Sequence, residues 1–227
     1  MKVEKISELT TNRLSVYLRC LNEIAAEGAR TVSSELLARK FHLNSAQIRK
    51  DLAYFGEFGV RGVGYTVEDL RDHLKKILGL DKQHQLCIIG AGRLGTALTD
   101  YYRFSQTNFA VGALFDADPE KIGTKVGGIE IFDIKDFAEI VKKDKIEVAV
   151  IAVPAERAQA VLELITASGI KAVMNFAPVP LRVSDDIKLK TVDLTTSLES
   201  LSYFLAQPKN GNGKSVKPNV KVHRNQM

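Results

Sequence analysis

The sequence predicts an α/β protein in which a small helical domain precedes a larger domain built on a parallel sheet. Three helices, a glycine-rich hairpin and a fourth helix are predicted in the first 80 residues, and an apolar strand then leads into the turn Gly90-Ala91-Gly92-Arg93-Leu94-Gly95. Apolar strands and helical segments alternate after that turn, as far as residue 206. This alternation is typical of a doubly wound parallel sheet of the Rossmann type.

The first 80 residues predict a helix-turn-helix. Apolar residues recur at helical spacing between Thr10 and Gly28, and Ser33 can cap a second helix from Glu35 to Lys40. Asn44, with Gln47 three residues later, begins a third helix in the manner of a capping box. A short turn between the last two of three helices is typical of this motif.

The third helix is predicted to have two different faces. Ile48, Leu52 and Phe55 form its apolar side, and the other side combines small residues with basic, amide and aromatic ones: Ala46, Gln47, Arg49, Lys50, Ala53 and Tyr54. Small residues allow a helix to enter a major groove, where polar side chains reach bases and phosphates. The helix therefore predicts contacts with double-stranded DNA from Gln47, Arg49, Lys50 and Tyr54. A solvated amphipathic face explains the same pattern.

The segment from Phe58 to Tyr65 predicts a β-hairpin with Arg61 at its glycine-rich tip. An arginine on a tight hairpin beside a recognition helix fits a narrow minor groove, so Arg61 is a further predicted DNA contact. Helix and hairpin together predict a winged helix. A helix from Val67 to Leu80 and a polar linker from Asp81 to Gln85 follow.

The glycine turn predicts a dinucleotide site. Gly90 makes the tight turn, Gly92 lets a pyrophosphate approach the backbone, and Gly95 lets the next helix pack closely on the strand. The N–H groups and the dipole at the start of that helix favour an anion without a basic side chain. Apolar residues recur in the helix at Leu94, Ala97, Leu98 and Tyr101. An ordinary strand-turn-helix with glycines for packing is the alternative.

A second apolar strand, from Ala110 to Phe115, ends at Asp116. A carboxylate there can accept the ribose hydroxyls and repel a 2′-phosphate, which predicts NAD(H) rather than NADP(H). The sequence also suggests a shortage of basic side chains beside it. Asp116 lies further from Gly90 than the usual spacing of about 20 residues. Asp118 therefore remains an alternative ribose ligand, or a helix N-cap.

The rest of the sheet is predicted from apolar runs. Strands are expected near Ile129 to Phe132, from Glu147 to Pro154, from Ala172 to Pro178 and near Lys190 to Asp193, with helices around Ile134 to Lys143 and from Ala155 to Ser168. The ends of two strands place Val153, Pro154 and Phe176 at the cofactor crevice. The final helix, Thr196 to Ala206, carries an apolar stripe with no predicted partner in so small a chain, which predicts a homodimer: Leu198, Leu201, Phe204 and Leu205.

The charge distribution predicts a basic tail, and the cysteine content suggests a cytoplasmic protein. The net charge is +5, and residues 207–227 hold five basic and no acidic side chains, which predicts a basic disordered tail. Cys20 and Cys87 fall within apolar patterns and are expected as buried, reduced thiols. The charged segment Met1 to Lys5 and the lack of a long apolar run predict neither a signal peptide nor a membrane span.

The nucleotide is predicted to be sensed rather than chemically transformed. A dehydrogenase needs a positioned acid or base, and the four histidines, His42, His73, His84 and His223, are all expected outside the nucleotide domain. No metal-ligand spacing is present in the sequence. The alternatives are an NAD-dependent oxidoreductase, a CoA-binding domain of the ligase type, and a constitutive DNA-binding protein with a vestigial glycine turn.

Six segments carry a resemblance to a known family: residues 11–19, 47–56, 61–65, 90–98, 115–118 and 175–178. The specific combination among them is the helix with Arg-Lys-Asp-Leu together with the hairpin Arg-Gly-Val-Gly-Tyr. With them, the chain resembles the Rex family of redox-sensing transcriptional repressors over nearly its whole length to Leu205. The resemblance implies a winged-helix DNA-binding domain at 1–80, an NAD(H)-binding domain at 81–194, and a helix at 195–206 swapped between the subunits of a homodimer. It also implies binding to operator DNA with NAD⁺ and release with NADH. The basic tail departs from the family pattern.

The same resemblance implies a switch between the two domains. Tyr101 would lie near the nicotinamide ring with Asp193 beside it, and Arg13 would pair with one or the other according to the redox state. Without the resemblance, Arg13 is a solvated helix residue, Tyr101 a core aromatic and Asp193 a helix cap.

Overall fold

A computed structural model of the chain describes residues 6–60, 62–102 and 108–206. The predicted DNA contact Arg61 and the predicted tail 207–227 lie outside these residues. The chain forms two compact units that divide between Lys82 and Gln83. The predicted combination of an N-terminal winged helix and a Rossmann-type sheet is confirmed.

The described residues of the first unit form four helices: α1 (Glu8–Ala26), α2 (Ser34–Lys40), α3 (Ser45–Phe55) and α4 (Val67–Ile77). The two predicted caps are present. Ser33 Oγ accepts from the Leu36 backbone N at 3.0 Å, and Asn44 Oδ1 accepts from the Gln47 N at 3.0 Å. Helix α1 begins earlier than predicted because Ser7 caps it, accepting from Thr10 N at 3.2 Å.

The wing belongs to a three-stranded antiparallel sheet: β1 (Thr31–Val32), β2 (Gly59–Val60) and β3 (Gly64–Thr66), in the order β1-β3-β2. Strand β1 was not predicted, because two residues carry no period. Gly64 has φ +96°, and a Cβ there would lie 2.6 Å from the carbonyl oxygen of Val32. A glycine is therefore required for β3 to approach β1 so closely.

The core of the first unit lies between its four helices. Fully or almost fully buried side chains come from each helix: Leu14, Leu21, Leu37, Ile48, Leu52, Leu70 and Leu74. Ile48 and Leu52 are on the predicted apolar side of α3, so the opposite side of that helix is exposed.

The second unit contains the parallel sheet. Its strands are β4 (His84–Ile89), β5 (Phe109–Asp116), β6 (Lys125–Val126), β7 (Ile129–Asp133), β8 (Val148–Ile151), β9 (Ala172–Asn175) and β10 (Lys188–Thr191). Their order is β10-β9-β8-β4-β5-β7-β6, parallel except for the β6–β7 pair. Without β6 this is the 3-2-1-4-5-6 order of the Rossmann fold, and the chain direction across the sheet reverses between β4 and β8.

Four helices accompany this sheet: α5 (Arg93–Tyr102), α6 (Phe137–Lys143), α7 (Ala155–Ala167) and α8 (Leu194–Ala206). The helix predicted from Ile134 is a 3-10 turn over Ile134–Asp136 followed by α6. The prediction that Asp118 caps a helix is wrong. The segment after it forms a turn, in which Asp118 Oδ1 accepts from Glu120 N at 3.1 Å.

The apolar stripe predicted for α5 is not its buried side. Leu94 is 41% exposed and Tyr101 is 62% exposed, so the prediction of Tyr101 as a core aromatic is wrong. Helix α5 instead buries Gly95 and Thr99, and Thr99 satisfies its hydroxyl by donating to the Gly95 carbonyl at 2.9 Å. Gly95 brings the start of the helix close to the end of β4, and of the predicted stripe only Leu98 packs against the core.

Helix α8 buries none of its side chains. All four residues of its predicted stripe, Leu198, Leu201, Phe204 and Leu205, are more than half exposed. An isolated chain thus exposes a contiguous apolar helix face, a feature typical of a subunit interface.

Both cysteines, Cys20 and Cys87, are buried and free of disulfides, as predicted. Burial raises the pKa of the Cys20 thiol to about 11 and also raises that of Cys87, which makes both poor nucleophiles. In the described part of the chain, no helix combines the length and apolarity needed to cross a bilayer. The described residues also bring together no group of His, Cys, Asp and Glu suited to a metal ion.

Candidate functional site

The glycine turn is packed against the sheet at two positions and open at the third. Gly90 has φ +102°, and a Cβ on it would lie 2.4 Å from the carbonyl oxygen of Ala152. A Cβ on Gly95 would lie 1.9 Å from the carbonyl oxygen of Gly90. A Cβ on Gly92 would meet no atom within 4 Å. The turn therefore presents bare backbone to open space at Gly92, directly before the N-terminus of α5.

The carboxyl ends of four neighbouring strands form one edge beside this turn. Backbone hydrogen bonds continue beyond the strands there: Gly90 N to Phe115 O at 2.8 Å, Ala152 N to Ile89 O at 2.8 Å, and Phe176 N to Ile151 O at 2.9 Å. This edge carries the glycine turn, Asp116, Val153, Pro154 and Phe176. Val153 and Phe176 are half-buried and Pro154 is exposed, so apolar surface is available where the strand order reverses.

Asn175 fixes the backbone around Phe176. It is fully buried, its Oδ1 accepts from Ala177 N at 2.9 Å, and its Nδ2 donates to Ala177 O at 3.0 Å. The amide closes a tight turn at the end of β9 and so holds Phe176 at the edge of the sheet. An amide at the end of a buried apolar strand is the sequence signal that indicates this role.

Asp116 is tied to the glycine turn by its own carboxylate. Oδ2 accepts from Ala91 N at 2.8 Å, and Oδ1 accepts from Ala117 N at 2.8 Å and Asp118 N at 3.0 Å. Burial raises the pKa of Asp116, but the hydrogen bonds from Asp118 N, Lys121 and Ala91 N outweigh burial and lower it overall. Asp116 is therefore an anion held rigidly beside the turn.

The expected shortage of basic side chains near Asp116 is wrong. Lys121 Nζ lies 3.2 Å from Asp116 Oδ2 and 3.4 Å from Asp118 Oδ2. The hydrogen bond to Asp116 raises the pKa of Lys121, which keeps the ammonium charged. Sequence reasoning missed this lysine because a turn, rather than the considered helix, brings its side chain back to the end of β5.

The residues present fit a dinucleotide at this edge. The open side at Gly92 leaves room for a pyrophosphate, and the first N–H groups of α5 have no acceptor within their own helix. Asp116 lies where an adenosine ribose would follow the pyrophosphate. Tyr101 lies eight residues beyond Arg93 on α5, roughly 12 Å along the helix axis.

In the first unit, a buried polar network joins α1 to α3. Asp51 is 4% exposed and accepts from Arg13 Nε at 2.5 Å and from Arg13 Nη2 at 2.7 Å. Tyr17 Oη donates to Asp51 at 2.9 Å, and Gln47 Nε2 donates to it at 2.7 Å. Four donors thus surround one carboxylate on the inner side of the predicted recognition helix.

These contacts shift several titrations. Burial raises the pKa of Asp51, but hydrogen bonds from Arg13, Gln47 and Tyr17 outweigh it and lower the pKa overall. The Arg13 pKa is raised by its hydrogen bond to Asp51, and the Tyr17 pKa is raised by burial and by the same carboxylate. Asp51 was absent from the predicted site residues, although an acid beside Ile48 and Leu52 on an apolar helix side indicates a buried partner.

The predicted DNA-contacting residues of α3 fall into two groups. Lys50 and Tyr54 are exposed, and so are Ala46 and Ala53 beside them. Gln47 is half-buried, and its amide nitrogen donates to Asp51. Arg49 Nη1 donates to Ser34 Oγ at 2.8 Å and to Glu35 at 2.5 Å. Of the four predicted contacts on α3, Arg49, Lys50 and Tyr54 are therefore exposed, and Arg49 is also paired with Glu35.

Two of the three predicted switch residues, Arg13 and Asp193, have other contacts in this structure. Arg13 pairs with Asp51, so its prediction as a solvated helix residue is wrong. Asp193 caps α8, as the alternative predicted: Oδ1 accepts from Thr195 N at 2.8 Å and from Thr196 N at 3.1 Å. The Thr196 hydroxyl, which donates to Oδ2, and the backbone bonds lower the Asp193 pKa.

His84 corrects another expectation. It is the first residue of β4 and lies within the second unit, not outside the nucleotide domain. Its ring contacts Glu147 at 2.7 Å and stacks on Phe109 with a centroid distance of 5.4 Å. The ring occupies the amino end of the strand, opposite the edge that carries the glycine turn. The predicted His223 lies outside the described residues.

Comparison with known proteins gives matches for both units. Residues 5–53 match the family model "Putative DNA-binding protein N-terminus", and residues 81–179 match the model "CoA binding domain". A redox-sensing transcriptional repressor Rex of Syntrophomonas wolfei is 49% identical over 206 residues, which cover 91% of this chain and 98% of the relative.

Solved structures of a protein called RSP are also similar. One, a complex with NAD⁺ and operator DNA, has a TM-score of 0.85 and 38% identity and covers 89% of this chain and 93% of RSP. A second, a complex with NADH, has a TM-score of 0.79 and 36% identity and covers 89% of this chain and 95% of RSP.

Proposed function

The chain belongs to the Rex family of redox-sensing transcriptional repressors, and we propose that it binds operator DNA with NAD⁺ and releases it when NADH takes the place of NAD⁺. One observation carries the proposal. A single chain combines a winged helix, in which the outer side of α3 is exposed, with a Rossmann-type sheet whose glycine turn is open at Gly92. RSP, with 38% identity, has been crystallised with NAD⁺ and operator DNA.

The DNA-binding half of the proposal rests on α3. Its inner side is fixed by Ile48, Leu52 and the Asp51 network, which leaves Lys50 and Tyr54 exposed on the outer side. Lys50 supplies a phosphate or base contact, and Tyr54 supplies a hydroxyl and a flat ring. Gln47, Arg49 and Arg61 are proposed as further contacts, with Gln47 and Arg49 partly engaged by Asp51 and Glu35.

The nucleotide half of the proposal rests on the sheet edge. The turn from Gly90 to Gly95 would hold the pyrophosphate, and Asp116 would accept ribose hydroxyls, in preference to the more exposed Asp118. When bound, NAD(H) supplies a nicotinamide ring that is cationic when oxidised and neutral when reduced. Burial of the neutral ring against Val153, Pro154 and Phe176 is favourable, whereas the cationic ring resists desolvation. The two redox states therefore engage this edge differently.

A homodimer is proposed from α8. Its exposed stripe needs a partner, and a second copy of the chain provides the same stripe in an isologous contact. One winged helix covers one half-site, so a two-fold dimer is expected to recognise a pseudo-palindromic operator.

The redox response is proposed to involve Arg13, Tyr101 and Asp193. An Arg13–Asp193 bridge has to compete with the Arg13–Asp51 pair and with the helix cap that Asp193 forms. Such a bridge therefore supplies only part of the free-energy difference between the NAD⁺ and NADH states. That difference must reach about 5 kcal/mol to move the protein from mostly bound to DNA to mostly released from it. Burial of the nicotinamide ring has to supply the remainder.

We propose that the nucleotide is an effector and not a substrate. A hydride-transferring enzyme needs an acid or base at the cofactor edge, and His84 is held by Glu147 at the opposite edge of the sheet. Because residues 81–179 match a CoA binding domain, CoA is the alternative ligand to be tested.

The test measures nucleotide and DNA binding on one preparation. Titration of NADH followed by its fluorescence should saturate, and a promoter fragment should be shifted in a gel with NAD⁺ and released by NADH. Lys50→Ala should lose DNA affinity while retaining NADH binding. A chain that binds DNA equally with NAD⁺ and NADH, or that binds CoA in preference to NADH, would refute the proposal.

A further inference from the structure

Lys121 lies between two carboxylates beside the proposed ribose position. Its Nζ is 3.2 Å from Asp116 Oδ2 and 3.4 Å from Asp118 Oδ2. The side chains differ in exposure: Asp116 is 15% exposed, whereas Lys121 is 39% and Asp118 40% exposed. Asp116 is therefore the most buried member of the group, and Lys121 and Asp118 are the more exposed ones.

The acceptor positions of Asp116 are already filled by the protein. A carboxylate offers about four lone-pair positions. Oδ1 accepts from the backbone N atoms of Ala117 and Asp118, and Oδ2 accepts from Ala91 N and Lys121 Nζ. A ribose hydroxyl can donate to Asp116 only where one of these donors withdraws.

Lys121 is the donor that can withdraw. The other three donors are backbone N–H groups, and their loss would disrupt the glycine turn and the end of β5. The bond from Lys121 is the longest of the four, and its ammonium is carried by a flexible stem. Asp118 already lies within ion-pair distance, so withdrawal from Asp116 leaves the ammonium with a carboxylate partner.

We propose that Lys121 occupies the ribose position on Asp116 and that the cofactor ribose displaces its ammonium group towards Asp118. The displaced ammonium group then partly offsets the repulsion between Asp116 and a 2′-phosphate. This inference rests on the proposed function and adds a specificity residue to the same nucleotide site. Lys121 weakens NADH binding by competition and supplies a cation that a 2′-phosphate can approach.

Lys121→Met tests the competition, because it keeps an unbranched side chain and removes the charge. NADH affinity should rise by up to about 5-fold, the size of an exposed ion pair. NADPH should gain less than NADH because its phosphate loses a cation, so the ratio of the NADPH to the NADH dissociation constant should rise, by less than about 5-fold. Fluorescence titrations of the full chain with each nucleotide measure both values.

Lys171→Met is the matched control. Lys171 also pairs with an aspartate, Asp186 at 3.5 Å, but it precedes β9 and so lies at the amino end of the strands. Loss of this lysine should change neither nucleotide affinity nor the ratio between the two.

Asp118→Asn tests the destination of the ammonium. In the wild-type background it should lower NADH affinity by about 2- to 5-fold, because the displaced ammonium loses its second carboxylate. In the Lys121→Met background the same substitution should have no effect, so the double-mutant cycle should show coupling between the two positions.

Three results overturn the inference: NADH affinity that is unchanged or lower in Lys121→Met, a nucleotide ratio that does not rise, and an Asp118→Asn loss that persists without Lys121. The last result would place the ribose on Asp118. Wild-type protein that binds neither NADH nor NADPH would refute the proposed function itself, which separates the two failures.

Discussion

Replacement of Asp51 by Asn is expected to destabilise the first unit strongly, although it only replaces one carboxylate oxygen by an amide NH₂ group. The carboxylate accepts four hydrogen bonds, from Arg13 twice, Tyr17 and Gln47. An amide in its place presents N–H groups to some of these donors and leaves Arg13 without its anion. Removal of one partner from a buried ion pair costs about 3–5 kcal/mol. Arg13 is 34% exposed and can be partly rehydrated, so a loss of about 3 kcal/mol is expected.

Calorimetry of the full chain measures this loss. A change of 1 kcal/mol shifts the melting temperature of a 60–100-residue domain by about 4–8 °C, so the transition of the first unit should move down by about 12–24 °C. Hydrogen exchange should become faster in α1 and α3 and remain unchanged in the parallel sheet. Asp72→Asn is the matched control, because Asp72 is 60% exposed and pairs with Lys75 at 3.5 Å on the surface of α4. Its effect should stay below about 0.5 kcal/mol.

The difference between wild type and Asp51→Asn should also depend on pH. The folded-state pKa of Asp51 lies below its unfolded value, so its stabilisation is complete above the unfolded pKa of about 3.9. It decreases as the pH falls through the folded pKa, because the wild-type carboxyl then becomes neutral too. A loss below about 0.5 kcal/mol at pH 7, or a difference that persists unchanged in strong acid, would refute the reasoning.

Four further outcomes are expected. Gly92→Ala should fold normally and lose at least about 10-fold in NADH affinity by fluorescence titration, because its methyl group enters the open space where the pyrophosphate would bind. Gly95→Ala should instead lower the melting temperature, because its Cβ clashes with the Gly90 carbonyl. Normal NADH affinity in a folded Gly92→Ala would place the pyrophosphate elsewhere. Lys50→Ala should reduce the slope of log affinity against log salt by about 1 in DNA anisotropy, and an unchanged slope would remove its phosphate contact. Asp116→Ala should weaken NADH binding and narrow the preference over NADPH; a preserved preference would assign it to another group.

Local patterns were sufficient to predict most elements of the fold. The caps at Ser33 and Asn44 and the glycine turn are encoded within a few residues, because their hydrogen bonds join positions close in sequence. Alternation of strands and helices then allows few sheet topologies. The two-residue strand β1 escaped prediction, because it exists only where Gly64 lets β3 approach Val32.

The site was less predictable, because its main contacts join distant positions or depend on turn geometry. Arg13 and Asp51 are 38 positions apart, so their pair becomes visible only when α1 packs on α3. Lys121 reaches Asp116 through a turn whose form depends on hydrogen bonds made by Asp118. Conversely, Leu94 and Tyr101 have helical spacing but face outwards, because periodicity identifies an apolar side without identifying what covers it.

The two edge strands of the parallel sheet affect how copies of this chain can associate. On the side of β7 the described sheet ends in β6, which has two residues, and on the other side it ends in β10, which carries Lys188 and Lys190. Short and lysine-bearing edge strands oppose the addition of further strands, the route by which sheets grow into open-ended aggregates. The apolar residues of α8 favour contact through a helix instead, and a two-fold helix contact closes on itself after two copies. The sheet therefore resists fibrous growth while the chain retains a large apolar surface for finite assembly.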